Sequence, residues 1–117
     1  MDELPRGTLL TRVDPKGRLK VPRAFIEVID LQKSWFVVEG KEREVFGIQP
    51  MQAAGCEEAW FDDQGRMLIP YWISERFKDM EVYVWRDNAS FQVGLREYME
   101  RSLRSRGESA RPESETP

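Results

Sequence analysis

Arg18 is the residue whose neighbours best equip it for chemistry. It leaves a turn, Asp14-Pro15-Lys16-Gly17-Arg18, where a guanidinium can pair two-pronged with guanine O6 and N7 or clamp a phosphate. Lys16 on the same turn supplies a point charge for a phosphate. Gly17 admits backbone geometry that a side chain would obstruct. A second stretch, Asp62-Asp63-Gln64-Gly65-Arg66, repeats the pattern. The alternative for both arginines is an ion pair to Asp14 or Asp62 that serves the fold alone. Arg66, set among acidic residues, favours that alternative more than Arg18 does. Other chemistries find little support. The chain has no His, which excludes Ser-His-Asp and Cys-His catalysis and any His-ligated zinc. Its single Cys56 makes neither an internal disulfide nor a thiolate cluster. Asp62-Asp63 has no companion carboxylates at a spacing that suits a metal or a glycosidase pair. The residues therefore point to binding and not to catalysis, with no metal, cofactor or small-molecule substrate.

Charge is distributed unevenly around these turns. Overall, 18 Lys and Arg face 21 Asp and Glu, a net of −3, which excludes a uniformly basic coat. From Leu4 to Ile26, however, six cations, Arg12 and Lys20 among them, oppose only Asp14, a net of +5. From Ala53 to Glu81, three cations oppose seven carboxylates, a net of −4. Phosphate attraction decays within a Debye length of about 8–10 Å, so the local sign matters more than the total. The expectation is a basic first loop on nucleic acid, with the acidic half facing away or meeting a neighbouring subunit. MDELPRGTLL lacks a signal-peptide pattern, and no stretch approaches the roughly 20 apolar residues of a membrane span, so a soluble intracellular protein is expected.

The elements that position these turns form an internal repeat. VDPKGRLKVPRAF (13–25) and FDDQGRMLIPYWI (61–73) align at an offset of 48, matching Asp14 with Asp62, Gly17 with Gly65, Arg18 with Arg66 and Pro22 with Pro70. Four such identities in one register are on the order of a 10⁻⁵ coincidence. Apolar positions agree too: Val13 with Phe61, Leu19 with Met67, Val21 with Ile69. Each half reads strand, turn, strand, short helix, strand, turn, strand. Pro22 and Pro70 suit the first turn of a helix. Phe25 with Ile29, and Ile73 with Phe77, fall four apart on one apolar face. A half of about 40 residues seldom buries enough apolar surface alone, so the two halves are expected to share one core. The predicted division is 6–52 and 57–94 for the halves, 95–106 for an amphipathic C-terminal helix, and 107–117 for a disordered tail. Trp35, Trp60, Trp72 and Trp85 are expected in the core or at subunit contacts in preference to base-stacking platforms, and Tyr71-Trp72, which cannot easily both point inward, at an oligomer contact.

The Asp-x-x-Gly-Arg-x-x-x-Pro pattern resembles the swapped-hairpin signature of the SpoVT-AbrB superfamily. A tandem pair, with Arg6-Gly7-Thr8 ahead of the first copy, resembles its MraZ branch, over about residues 6 to 103. The resemblance implies a mainly β fold with short helices, a pseudo-two-fold double swapped-hairpin barrel. It implies a transcription regulator of the bacterial division and cell-wall gene cluster, cytoplasmic and nucleoid-associated, with no membrane partner. Its members form closed homo-oligomeric rings and bind direct repeats in promoter double-stranded DNA through the Gly-Arg loops. The candidate DNA-binding residues are then Arg12, Lys16, Gly17, Arg18 and Lys20, with Gln64, Gly65 and Arg66. The chain departs from the pattern on the short helices, where Ile26 and Ser74 stand in place of the customary Arg. Two rival readings remain: an AbrB-type antitoxin whose tail folds on a toxin, and an oligomeric swapped-hairpin interaction protein that has lost DNA binding.

Overall fold

The computed structural model describes residues 4–30 and 34–103. The fold is mainly β with a few short helices. The elements are β1 (Leu9–Arg12), β2 (Arg18–Lys20), α1 (Arg23–Asp30), β3 (Phe36–Glu39), β4 (Val45–Gln49), β5 (Glu57–Glu58), β6 (Trp60–Phe61), β7 (Arg66–Leu68), α2 (Tyr71–Ser74), β8 (Glu81–Asp87) and β9 (Ser90–Leu95). Residues 96–103 are helical, while Leu95, expected to open that helix, ends β9; residues 104–106 and the whole expected tail lie outside the described residues. Among the described residues, no helix is long and apolar enough to cross a membrane.

Two antiparallel sheets form, one of order β1-β8-β9-β4-β3-β5 and one of order β2-β7-β6. They stay open, and the expected barrel closure does not occur. Its cause lies in the motif hairpins. The incoming arm β1 joins the large sheet through Leu9↔Val84 to Arg12↔Glu81, while the outgoing arm β2 joins the small sheet. Near the turn the two arms are joined by the Val13↔Leu19 bridge, with the Thr11 hydroxyl donating to the Lys20 carbonyl at 2.7 Å. In the second motif β5 lies in the large sheet and β6 in the small one, parted at Ala59, whose N–H donates to the Trp35 carbonyl at 2.7 Å. A barrel requires continuous pairing with a constant stagger. Here each incoming arm changes sheets instead, and β1 and β5 remain at opposite edges of the large one.

The pairing runs between the halves. The edge strand β1 bonds to β8, and the edge strand β5 to β3. At the middle of the large sheet β4 meets β9, with Phe46↔Val93 and Ile48↔Phe91. In the small sheet Leu19↔Met67 is the central pair of β2 and β7. Those two residues are counterparts at the 48-residue offset, so the register is its own mirror about that pair.

Period-two alternation puts Leu19 and Met67 inward, with Val13, Val21 and Ile69 beside them. Ile29, Ile73 and Phe77 close the core from the helical side. The Phe77 ring meets Phe46 edge-on at 4.9 Å and 83°. α2 is a single turn, shorter than the i,i+4 pattern suggests. The chain continues in turns to Asp79, whose positive φ of 59° ends the segment. Trp35 is buried, its Nε1–H satisfied by the Ile29 carbonyl at 2.9 Å. Trp60 lies outside the core, with 66% of its surface exposed, and Tyr71 and Trp72 are both exposed.

Candidate nucleic-acid interface

The two motif loops are built by the same hydrogen bonds. In the first, the Asp14 carbonyl accepts from Gly17 N–H at 3.0 Å, and Asp14 N–H donates to the Arg18 carbonyl at 2.9 Å. In the second, the equivalent distances at Asp62, Gly65 and Arg66 are 3.3 and 2.9 Å. Gly17 and Gly65 take φ of +82° and +75°. This is the three-residue hairpin loop that ends in a left-handed residue, and glycine adopts that conformation without penalty.

Each aspartate then braces its own arginine. Asp14 Oδ1 accepts the backbone N–H groups of Lys16 and Arg18, both at 2.9 Å, and its Oδ2 takes Arg18 Nε–H at 2.6 Å. Asp62 repeats this with Gln64, Arg66 and Arg66 Nε, at 2.9, 2.9 and 2.7 Å. Burial alone would raise the Asp14 carboxyl. The N–H groups of Arg18 and Lys16, with the guanidinium, outweigh it and hold the pKa below its ordinary value. At Asp62 the Arg66 N–H leads the same downward shift, against a smaller opposing effect of burial. The ion-pair alternative for the arginines is thus realised in both loops. It does not consume them: the brace uses Nε, and the two η nitrogens have no hydrogen-bond partner among the described residues. Both side chains stay about a quarter exposed, at 26% and 28%. A guanidinium held by one edge and open at the other loses little freedom when it binds an anion.

The β2–β7 pairing fuses the loops into one surface. Lys20 lies directly opposite Arg66, and Arg18 opposite Leu68. Val21 N–H donates to the Gly65 carbonyl at 3.2 Å, and Ile69 N–H to the Gly17 carbonyl at 3.1 Å. The charge pattern along the sequence sends the acidic half away from the basic loop; interleaving does the opposite for Arg66 and Gln64. Gln64 shares an open groove of about 700 Å³ with Arg12, Lys20 and Arg23. Arg12 is tied there to Asp79 at 2.7 Å, and that pairing raises its pKa. Lys16, Lys20 and Arg23 are exposed cations with no ion pair among the described residues.

The glycines play a geometric part. Gly17 is buried. A Cβ there would lie 3.0 Å from Ser74 Cβ, and one at Gly65 would lie 3.3 Å from Ile26 Cδ1. Ile26 and Ser74 are themselves counterparts at the 48-residue offset, so each loop rests on the short helical segment of the other half. The pairing thus sets Arg12, Lys20, Gln64 and Arg66 near one another and leaves Lys16, the buried Gly17 and Arg18 toward the other end of the β2–β7 pair. Arg23 was absent from the expected set, although it directly follows Pro22. Its place beside the other half's loop is visible only once the halves interleave. Among the described residues no three His, Cys, Asp or Glu side chains are grouped to hold a metal ion.

No family model matches the chain. A comparison with known proteins finds similarity to the transcriptional regulator MraZ of Syntrophobacter fumaroxidans (strain DSM 10017 / MPOB), 32% identical over a match covering 60% of this chain and 64% of the relative. The matched part thus spans less than two thirds of that relative's length.

Proposed function

We propose that this chain is a non-enzymatic, sequence-specific regulator of transcription that binds double-stranded DNA in the manner of MraZ. In this reading residues 6–52 and 57–94 are two swapped-hairpin halves of one domain. A homo-oligomer sets several copies on promoter direct repeats, and avidity multiplies weak loop contacts. The target is a division and cell-wall gene cluster, and the site of action is the cytoplasm, at the nucleoid. Arg18 is the principal reader of a base edge or phosphate, Lys16 and Lys20 neutralise phosphates, and Arg66 with Gln64 extends the contact. The observation that carries the reading is the pair of matching loops, each presenting an aspartate-braced arginine, joined across β2 and β7 beside Lys20.

The test is fluorescence anisotropy with a promoter duplex at two salt concentrations. Arg18→Ala is expected to weaken binding by about 1–3 kcal/mol if the residue reads a base. Arg66→Ala is expected to cost less. Absence of binding, or binding without a salt slope, refutes the reading. The exposed Trp60 and Tyr71 favour one second reading, an oligomeric interaction protein without DNA affinity. A stable assembly by light scattering together with a gel-shift blank would establish it.

A further inference from the structure

We propose that the outer face of the small sheet also takes single-stranded nucleic acid, with a base stacked on Trp60. Directly opposed residues of antiparallel strands point to the same side. Leu19 and Met67 are buried and Phe61, itself 36% exposed, shares their side of the sheet, so the neighbouring positions face the other way in two rows. Arg18, Leu68 and Trp60 make one row across β2, β7 and β6. Lys20 and Arg66 make the other, continued by Arg12, which the Val13↔Leu19 bridge sets beside Lys20. The rows are two residues apart along each strand, roughly 6.6–6.8 Å.

The repeat makes the chemistry of these rows telling. At the 48-residue offset Trp60 occupies the place of Arg12, and Leu68 the place of Lys20. Two related positions are cationic in one row and apolar in the other. A surface that served phosphate alone would gain from cations in both. A core position would be covered, yet Trp60 and Leu68 are 66% and 48% exposed. A base paired in a duplex keeps its face inside the stack. A single strand offers phosphates and open base faces together, and charged grooves lined by an aromatic platform bind it with little sequence preference. Lys20, which has no ion pair among the described residues, and the open η edges of the braced Arg18 and Arg66 supply the charge complement to the backbone, while Arg12 is held by Asp79.

The probes are a fluorescein-labelled oligothymidylate of about 12 nucleotides, within the span such platforms cover, and a blunt promoter duplex, each with the full chain. Trp60→Ala is expected to weaken oligothymidylate binding roughly 5- to 150-fold and to leave duplex binding within about 2-fold, while Trp60→Phe retains most of the affinity because it keeps an aromatic face. Trp60 contributes nothing to the core, and circular dichroism verifies that both variants fold. The inference is overturned if oligothymidylate fails to bind at a salt concentration where the duplex binds, or if Trp60→Ala leaves it unchanged. It is equally overturned if Trp60→Ala breaks an assembly apart without altering affinity per protomer, since a second copy would then cover the face. Duplex binding without single-strand binding sinks this inference and spares the regulator reading; the reverse result sinks that reading and spares this one.

Discussion

Replacing Gly17 and Gly65 by alanine asks the same backbone question at two related places and should give unequal answers. Both residues hold positive φ, +82° and +75°, and a left-handed L-residue costs about 1–2 kcal/mol. The surroundings then differ. The new Cβ at position 17 meets Ser74 Cβ at 3.0 Å and Oγ at 3.2 Å, both atoms near the main chain of a buried residue. At position 65 it meets only Ile26 Cδ1, the free end of a side chain, at 3.3 Å. Overpacking that cannot relax adds about 1–3 kcal/mol. Gly17→Ala should therefore lose about 2–5 kcal/mol and Gly65→Ala about 1–2 kcal/mol. Urea denaturation followed by tryptophan fluorescence measures both, at one fixed protomer concentration because self-association would shift the midpoint. Adding Ser74→Gly to Gly17→Ala completes a double-mutant cycle with an expected coupling of about 1–3 kcal/mol. Equal losses at the two glycines, or a coupling near zero, would refute the claim that loop 1 is clamped by the opposite half.

The braced aspartates should make the fold sensitive to acid. Their folded pKa values lie below the unfolded value of about 3.9, so the stability they add is complete above that pH and is lost as the pH falls through the folded pKa; Asp14→Asn should flatten the decline in urea midpoint between neutral pH and pH ~3, and an unchanged decline would contradict it. Lys20→Ala should lower the slope of log affinity against log salt by about 1 on a duplex and leave sequence preference alone, so a change in preference would reassign Lys20 to base contact. Phe77→Ala removes a fully buried ring packed on Phe46 and should cost about 3–5 kcal/mol, whereas a loss under about 1 kcal/mol would show that the site collapses around the gap.

The motif loops were the most legible part of the sequence, because turn chemistry is local. Asp14, Gly17 and Arg18 are linked by bonds no more than four residues long, so their counterparts at 62, 65 and 66 had to form the same loop. The inward positions of Leu19, Met67, Ile73 and Phe77 were legible for a similar reason, since strand and helix periods reveal a buried face. Barrel closure was misjudged because it depends on how far each arm stays in one sheet. That is decided at Ala59 and Val13 by long-range partners, Trp35 and Met80, which no local pattern shows. Charge misled in the same way. Summing along the chain placed Arg66 in an acidic block, while cross-strand pairing placed it opposite Lys20. Residue type alone does not place Trp60, which lies outside the core. In a two-residue strand both side chains stay exposed, Trp60 more than Phe61, which shares the side of the buried Met67.

Two matching loops in one chain can differ in their surroundings, which the loops of two identical subunits could not. In a symmetric dimer every substitution appears twice, so related positions must share one chemistry. Here the pair of contacts that support the loops has diverged into Gly17 on Ser74 and Gly65 on Ile26. The outer face has diverged further, into Arg12 and Lys20 on one side and Trp60 and Leu68 on the other. The inward positions are apolar in both stretches without being identical, with Leu19 against Met67 at the centre of the register. Burial explains the difference: a core position must stay apolar, while an exposed face is free to change its chemistry. The two loops therefore share a backbone form and an arginine brace, and the residues around them give the surface a direction, from a cationic end to an aromatic one.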